Sequence, residues 1–132
     1  MENYVEYIME TAKNLLAVPS PSGFTHMAAD FVKKEFEALG YEPELTKKGA
    51  VLVKIGGKDD SDAIVLAAHM DTLGGMVCQI MDNGRLKLTN IGGMNPNNAE
   101  AENCKVYTKT GEVYDATFQL ENASVHVNGE YS

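Results

Sequence analysis

Apolar residues at Val5, Ile8, Met9, Ala12, Leu15 and Leu16 recur at three- and four-residue intervals, which predicts an amphipathic helix over 3–17. Pro19 and Pro21 stop that helix and impose an extended link. Ser22 suits the N-cap of a second helix, whose apolar face is traced by Phe24, Met27, Ala28, Phe31, Val32, Phe36 and Leu39. Gly40 stands where a left-handed C-terminal cap is wanted, and Pro43 follows it. Burying each large apolar side chain contributes roughly 1.5–3 kcal/mol, so both stripes are predicted to face a core and neither asks for a ligand.

Beyond Gly40 the period falls from 3.6 residues to two. Residues 44–46 and 50–55 flank Lys47-Lys48-Gly49, a predicted hairpin. The apolar run 63–68 reads as a strand buried on both faces, of the kind found inside a sheet covered by helices. Residues 76–81 and 85–91 flank Asp82-Asn83-Gly84, and Asn-Gly predicts a tight turn in which both residues take positive φ. Residues 104–108 and 113–120 flank Lys109-Thr110-Gly111-Glu112, a further hairpin, and Val125 and Val127 begin a last short strand. The expected organisation is a helix-rich part to about residue 71 and an all-β part after it.

The candidate chemistry lies where the run 63–68 stops, at His69-Met70-Asp71. Two residues apart on a strand, the imidazole and the carboxylate point the same way, and in covered sheets such strand ends carry the chemistry. The pair suits a metal-ligand histidine with its orienting carboxylate. It also suits a strand-end histidine that merely hydrogen-bonds a nearby acid. A catalytic zinc takes three protein ligands and an open position, so this pair alone does not complete one. The other acids and histidines read as structural or solvated: Asp59-Asp60 in a polar turn, Glu100 and Glu102 facing water, His26 on the surface, His126 in a structural role.

A length of 132 residues suits one domain or a domain plus part of another. The formal charge of −8 argues against nucleic acid or an anionic membrane as partner. The longest apolar run is far short of the ~20 residues that cross a bilayer, and the amino terminus lacks the pattern of a signal peptide. Cys78 and Cys104 form no C-x-x-C pattern and read as free thiols. A cytoplasmic location is expected.

Pro19-Ser20-Pro21-Ser22-Gly23-Phe24, then Ala67-Ala68-His69-Met70-Asp71, then Ile91-Gly92-Gly93, stand in an order and spacing that resemble the glutamyl-aminopeptidase/cellulase-like family of co-catalytic metallo-aminopeptidases. The resemblance runs from about Leu15 to about His126. It implies an α/β fold: two helices on a small mixed sheet, starting a zinc-exopeptidase-like catalytic domain over 1–72. Part of an inserted PDZ-like β-barrel domain follows over 73–132. It also implies His69 as a metal ligand, Asp71 as the catalytic carboxylate that orients it, and two divalent ions (zinc, cobalt or manganese) in the complete enzyme. At most one ion, weakly bound, is expected here. Peptide substrates and a homo-oligomer are further implications. The 132-residue chain alone is expected to be inactive, because the other ligands and the general base have no match in it. A non-catalytic assembly module, or part of another zinc exopeptidase or deacylase lineage, are the alternatives.

Overall fold

The computed structural model describes residues 4–59, 61–121 and 126. By their internal contacts they group into two compact units, Met1–Gly92 and Gly93–Ser132.

The first unit opens with α1 (Tyr4–Leu16) and α2 (His26–Ala38), close to the predicted spans. Glu6 in the first turn of α1 and Lys13 in its last complement the helix dipole. The C-terminal cap of α2 follows from sequence: Gly40 adopts φ +86°, its N–H donates to the Glu37 carbonyl, and Tyr41 N–H donates to the Phe36 carbonyl. This is a Schellman motif, sealed by an edge-to-face contact between Phe36 and Tyr41. The N-terminus departs from expectation. Thr25, not Ser22, is the N-cap, and its side chain makes no capping bond.

The helical stripes are not buried as expected. Among the described residues only Ser20, Ala28, Ala29 and Pro43 are buried. In α1, Val5, Ile8, Met9 and Leu16 remain exposed. A stripe buries only against an opposing apolar surface, and among the described residues the main partner of α1 is α2, which packs besides on the short strand Val51–Leu52.

Among the described residues the sheets are three antiparallel pairs: β1 (Glu44–Leu45) with β2 (Val51–Leu52), β3 (Gly74–Ile80) with β4 (Leu86–Ile91), and, in the second unit, β5 (Asn103–Tyr107) with β6 (Val113–Thr117). All three turn in the same way. Thr46, Met81 and Thr108 each accept a bond at their carbonyl from a glycine three residues on, Gly49, Gly84 and Gly111, and close the ladder through their own N–H. Each glycine has positive φ, between +81° and +94°. This is the three-residue loop of a type I turn followed by a left-handed residue. The expectation that Asn83 also takes positive φ is corrected: only Gly84 does, and the Asn83 Oδ1 accepts from the Arg85 N–H instead. Cys78 is the extra residue of a bulge in β3 between Val77 and Gln79, and its thiol donates to the Lys87 carbonyl.

The predicted strand 63–68 is the main departure. It pairs with no strand among the described residues, and Ile64, Val65 and Leu66 are 90%, 79% and 88% exposed. A central strand needs neighbours on both edges and helices over both faces, and the described residues supply neither. Among the described residues the mixed sheet is likewise reduced to one parallel bridge, Pro21 opposite Thr72. Val125 and Val127 lie outside the described residues; His126 between them is helical and exposed.

Candidate metal centre

Two stretches that the sequence separates by about fifty residues meet here. Pro19 and Pro21 keep the link after α1 out of helix, leaving its backbone groups to find other partners. The Ser20 carbonyl accepts from the Thr72 N–H at 2.7 Å, and Pro21 bridges Thr72 in parallel. A Cβ on Gly74 would stand 2.7 Å from the Pro21 Cβ, so only glycine allows this approach. Ser20 is buried beneath it, its hydroxyl without a hydrogen-bond partner among the described residues.

This bridge places the chemistry. His69 Nδ1–H donates to Asp71 Oδ1 at 3.0 Å, and Ser22 Oγ–H donates to Asp71 Oδ2 at 2.5 Å. Both carboxylate oxygens are thus engaged by different donors. The Ser22 hydroxyl, and secondarily the imidazole, hold the Asp71 carboxyl below the usual carboxylate range, because both bonds favour its ionised form. An ionised carboxylate only accepts, so Nδ1 carries a proton, and in the neutral ring that tautomer leaves the lone pair on Nε2. The imidazole is 86% exposed, which leaves that nitrogen open to an incoming ligand.

The donor chemistry fits one histidine ligand with an orienting carboxylate, and it stops there. Among the described residues no group of three His, Cys, Asp or Glu side chains could hold a metal ion. His26 lies at the surface against Phe24, ring centroids 4.6 Å apart. Asp59 accepts from both the N–H and the hydroxyl of Ser61, which hold its carboxyl below the usual range; Asp60 lies outside the described residues. Glu102 is exposed as expected, but Glu100 is half-buried and accepts from the Leu120 N–H at 2.5 Å rather than facing water. Cys78 and Cys104 are free thiols, and burial pushes the Cys104 thiol up. Sequence reasoning missed Ser22. Its signal is its place in the Pro-Ser-Pro-Ser-Gly turn, where a serine before a helix suits an N-cap.

The profile of the M42 glutamyl aminopeptidase family matches residues 49–131. A relative from Bacillus subtilis (strain 168), named "Putative aminopeptidase YhfE", is 37% identical over 123 residues, covering 93% of this chain and 36% of its own. The TET aminopeptidase of a marine sediment archaeon, Thaumarchaeota archaeon SCGC AB-539-E09, superimposes with a TM-score of 0.76 at 26% identity, covering 87% of this chain and 32% of its own. The TET1 peptidase of Pyrococcus horikoshii, described as assembling into a tetrahedron or a large octahedral shell, shares the fold at a TM-score of 0.73 and 22% identity, covering 84% of this chain and 32% of its own. This chain spans about a third of the length of each. On the match over residues 49–131, the chain belongs to the M42 glutamyl aminopeptidase family.

Proposed function

We propose that this chain is the amino-terminal portion of a metal-dependent aminopeptidase, with His69 a metal ligand and Asp71 the carboxylate that orients it. The observation that carries this reading is the His69–Asp71 hydrogen bond, which leaves Nε2 open at the end of the apolar segment 63–68. Membership of the M42 family supports the reaction class. In the complete enzyme two divalent ions, zinc, cobalt or manganese, supply Lewis acidity towards the scissile carbonyl and lower the pKa of the attacking water. Within this chain, Asp71 fixes the tautomer and the plane of the ring, and His69 presents Nε2. The other ligands and the general base belong to chain beyond these 132 residues; the three-fold greater length of the relatives supports that assignment.

The same reading makes 63–68 the central strand of a catalytic α/β domain over 1–72, covered once the rest is present. It makes 73–132 part of an inserted PDZ-like β-barrel domain. The substrates are peptides, the assembly a homo-oligomer and the compartment the cytoplasm. Among the described residues no helix is long and apolar enough to cross a membrane.

Release of amino acids from aminoacyl chromogenic substrates tests the reading. This chain alone should show none with added zinc, cobalt or manganese. Supplying the remaining two-thirds of a family member should restore metal-dependent hydrolysis, which His69→Ala abolishes and Asp71→Asn reduces. Turnover by the 132-residue chain alone would overturn it.

A further inference from the structure

We infer that Ser22 is a positioning residue: its hydroxyl locks the Asp71 carboxylate in the plane that holds the His69 imidazole with Nε2 outward. The inference rests on the proposed role of His69 as a metal ligand and goes beyond it, to a residue outside the His-x-Asp motif.

Ser22 is itself held by the backbone. Pro21 to Phe24 form a turn closed by the Phe24 N–H on the Pro21 carbonyl at 2.7 Å, with Gly23 at φ +87°. That is a type II turn, and Ser22 occupies its first central position. The turn is in turn fixed against the His-x-Asp stretch by the Thr72 N–H bond to the Ser20 carbonyl and by the close approach of Pro21 to Gly74. The serine hydroxyl therefore meets Asp71 from a rigid frame independent of the imidazole.

The need for such a clamp follows from exposure. The Asp71 side chain is 42% exposed, so packing alone does not set its rotation. A carboxylate bonded at one oxygen can swing about its terminal torsion, which is broad and shallow. Bonded at Oδ2 by Ser22 and at Oδ1 by His69, it cannot swing without breaking a bond. The sequence Ser22 Oγ–H to Asp71 to His69 Nδ1–H thus transmits the geometry of the proline-rich turn to the nitrogen that would meet a metal.

The test uses the 132-residue chain and needs no turnover. Ring 15N shifts of His69 at pH 8 report which nitrogen carries the proton, and zinc titration reports affinity. The native chain should hold the Nδ1–H tautomer. Ser22→Ala should drift towards the Nε2–H form of a free imidazole and bind zinc about 10-fold more weakly, as loss of a partner behind a ligand does. Ser22→Thr, which keeps the hydroxyl, should restore both. Asp71→Asn separates the two ideas. If it moves both readouts while Ser22→Ala moves neither, the inference about Ser22 fails and the metal-centre reading stands. If Asp71→Asn moves neither, the metal-centre reading itself fails. An effect of Ser22→Ala that Ser22→Thr does not rescue assigns the change to the turn and overturns the positioning role.

Discussion

Asn103–Tyr107 and Val113–Thr117 pair in full register, from Asn103 opposite Thr117 to Tyr107 opposite Val113, whereas residues 63–68 pair with no strand among the described residues. Both stretches have the composition of strands. The difference is where each finds its partner. For β5 the partner lies across a short loop whose closure costs little entropy and whose glycine supplies the required positive φ. For 63–68 no turn brings a partner back, so its backbone groups depend on strands distant in sequence. A hairpin is thus a local structure, whereas a buried central strand is a property of a whole sheet.

Amide hydrogen exchange should break or uphold that comparison with the largest effect. In this chain the ladder amides of β3–β4 and β5–β6 should be protected, while those of Ile64, Val65 and Leu66 exchange at nearly the rate of an unstructured peptide. In a full-length family member the same three amides should slow by orders of magnitude, reaching the core end of the stability range. Equal exchange of 64–66 in both settings would show that the segment never becomes a central strand.

Next in size is the turn glycine. Gly111→Ala places a Cβ on a residue at φ +94° and should destabilise β5–β6 by about 1–2 kcal/mol, the cost of a left-handed L-residue. Exchange protection at Val106 and Tyr114 should fall accordingly. Ile64→Ser, by contrast, should leave the exchange of this chain unchanged, because its side chain is already in water.

A smaller effect attaches to pH. Glu112 accepts from the Thr108 and Thr110 hydroxyls, Thr108 first in weight, and both hold its carboxyl below the usual range. A carboxyl depressed in the folded hairpin favours folding fully above its unfolded value. That contribution is lost as pH falls through the folded value. Protection in β5–β6 should therefore be flat above about pH 5 and decline below the ordinary glutamate pKa of about 4.3. Thr108→Ala should raise the 13C titration midpoint of Glu112 towards that ordinary value. It should also cost the bond from the Glu112 N–H to Thr108 Oγ1.

The smallest effect is expected at the cross-strand pair of Lys105 and Asp115. Their bond pushes the Lys105 ammonium up, yet both side chains are largely in solvent. Exposed pairs of this kind contribute little. Lys105→Met should leave protection of the hairpin within error, and a loss as large as that of Gly111→Ala would show that side-chain pairing rather than turn geometry holds β5 to β6.

Sequence by itself determined whatever neighbouring residues could decide. The two helices follow from apolar spacing, the end of α2 from Gly40, and the hairpins from glycines at the turns, each a matter of a few adjacent dihedrals and local hydrogen bonds. The pairing of His69 with Asp71 was legible for the same reason, since two residues on an extended chain share a face. Three features were decided only in three dimensions. Ser22 reads as a helix cap, because an N-cap is the commonest use of a serine before a helix. It bonds Asp71 instead, because the link after α1 lies beside Thr72 and Gly74. The type of turn at Asn83 was set by the closing bond between Met81 and Arg85, which the residue pair Asn-Gly does not specify. The apolar run 63–68 announces burial through its composition, but burial requires a surface to meet, and that surface is made by residues far away in the chain.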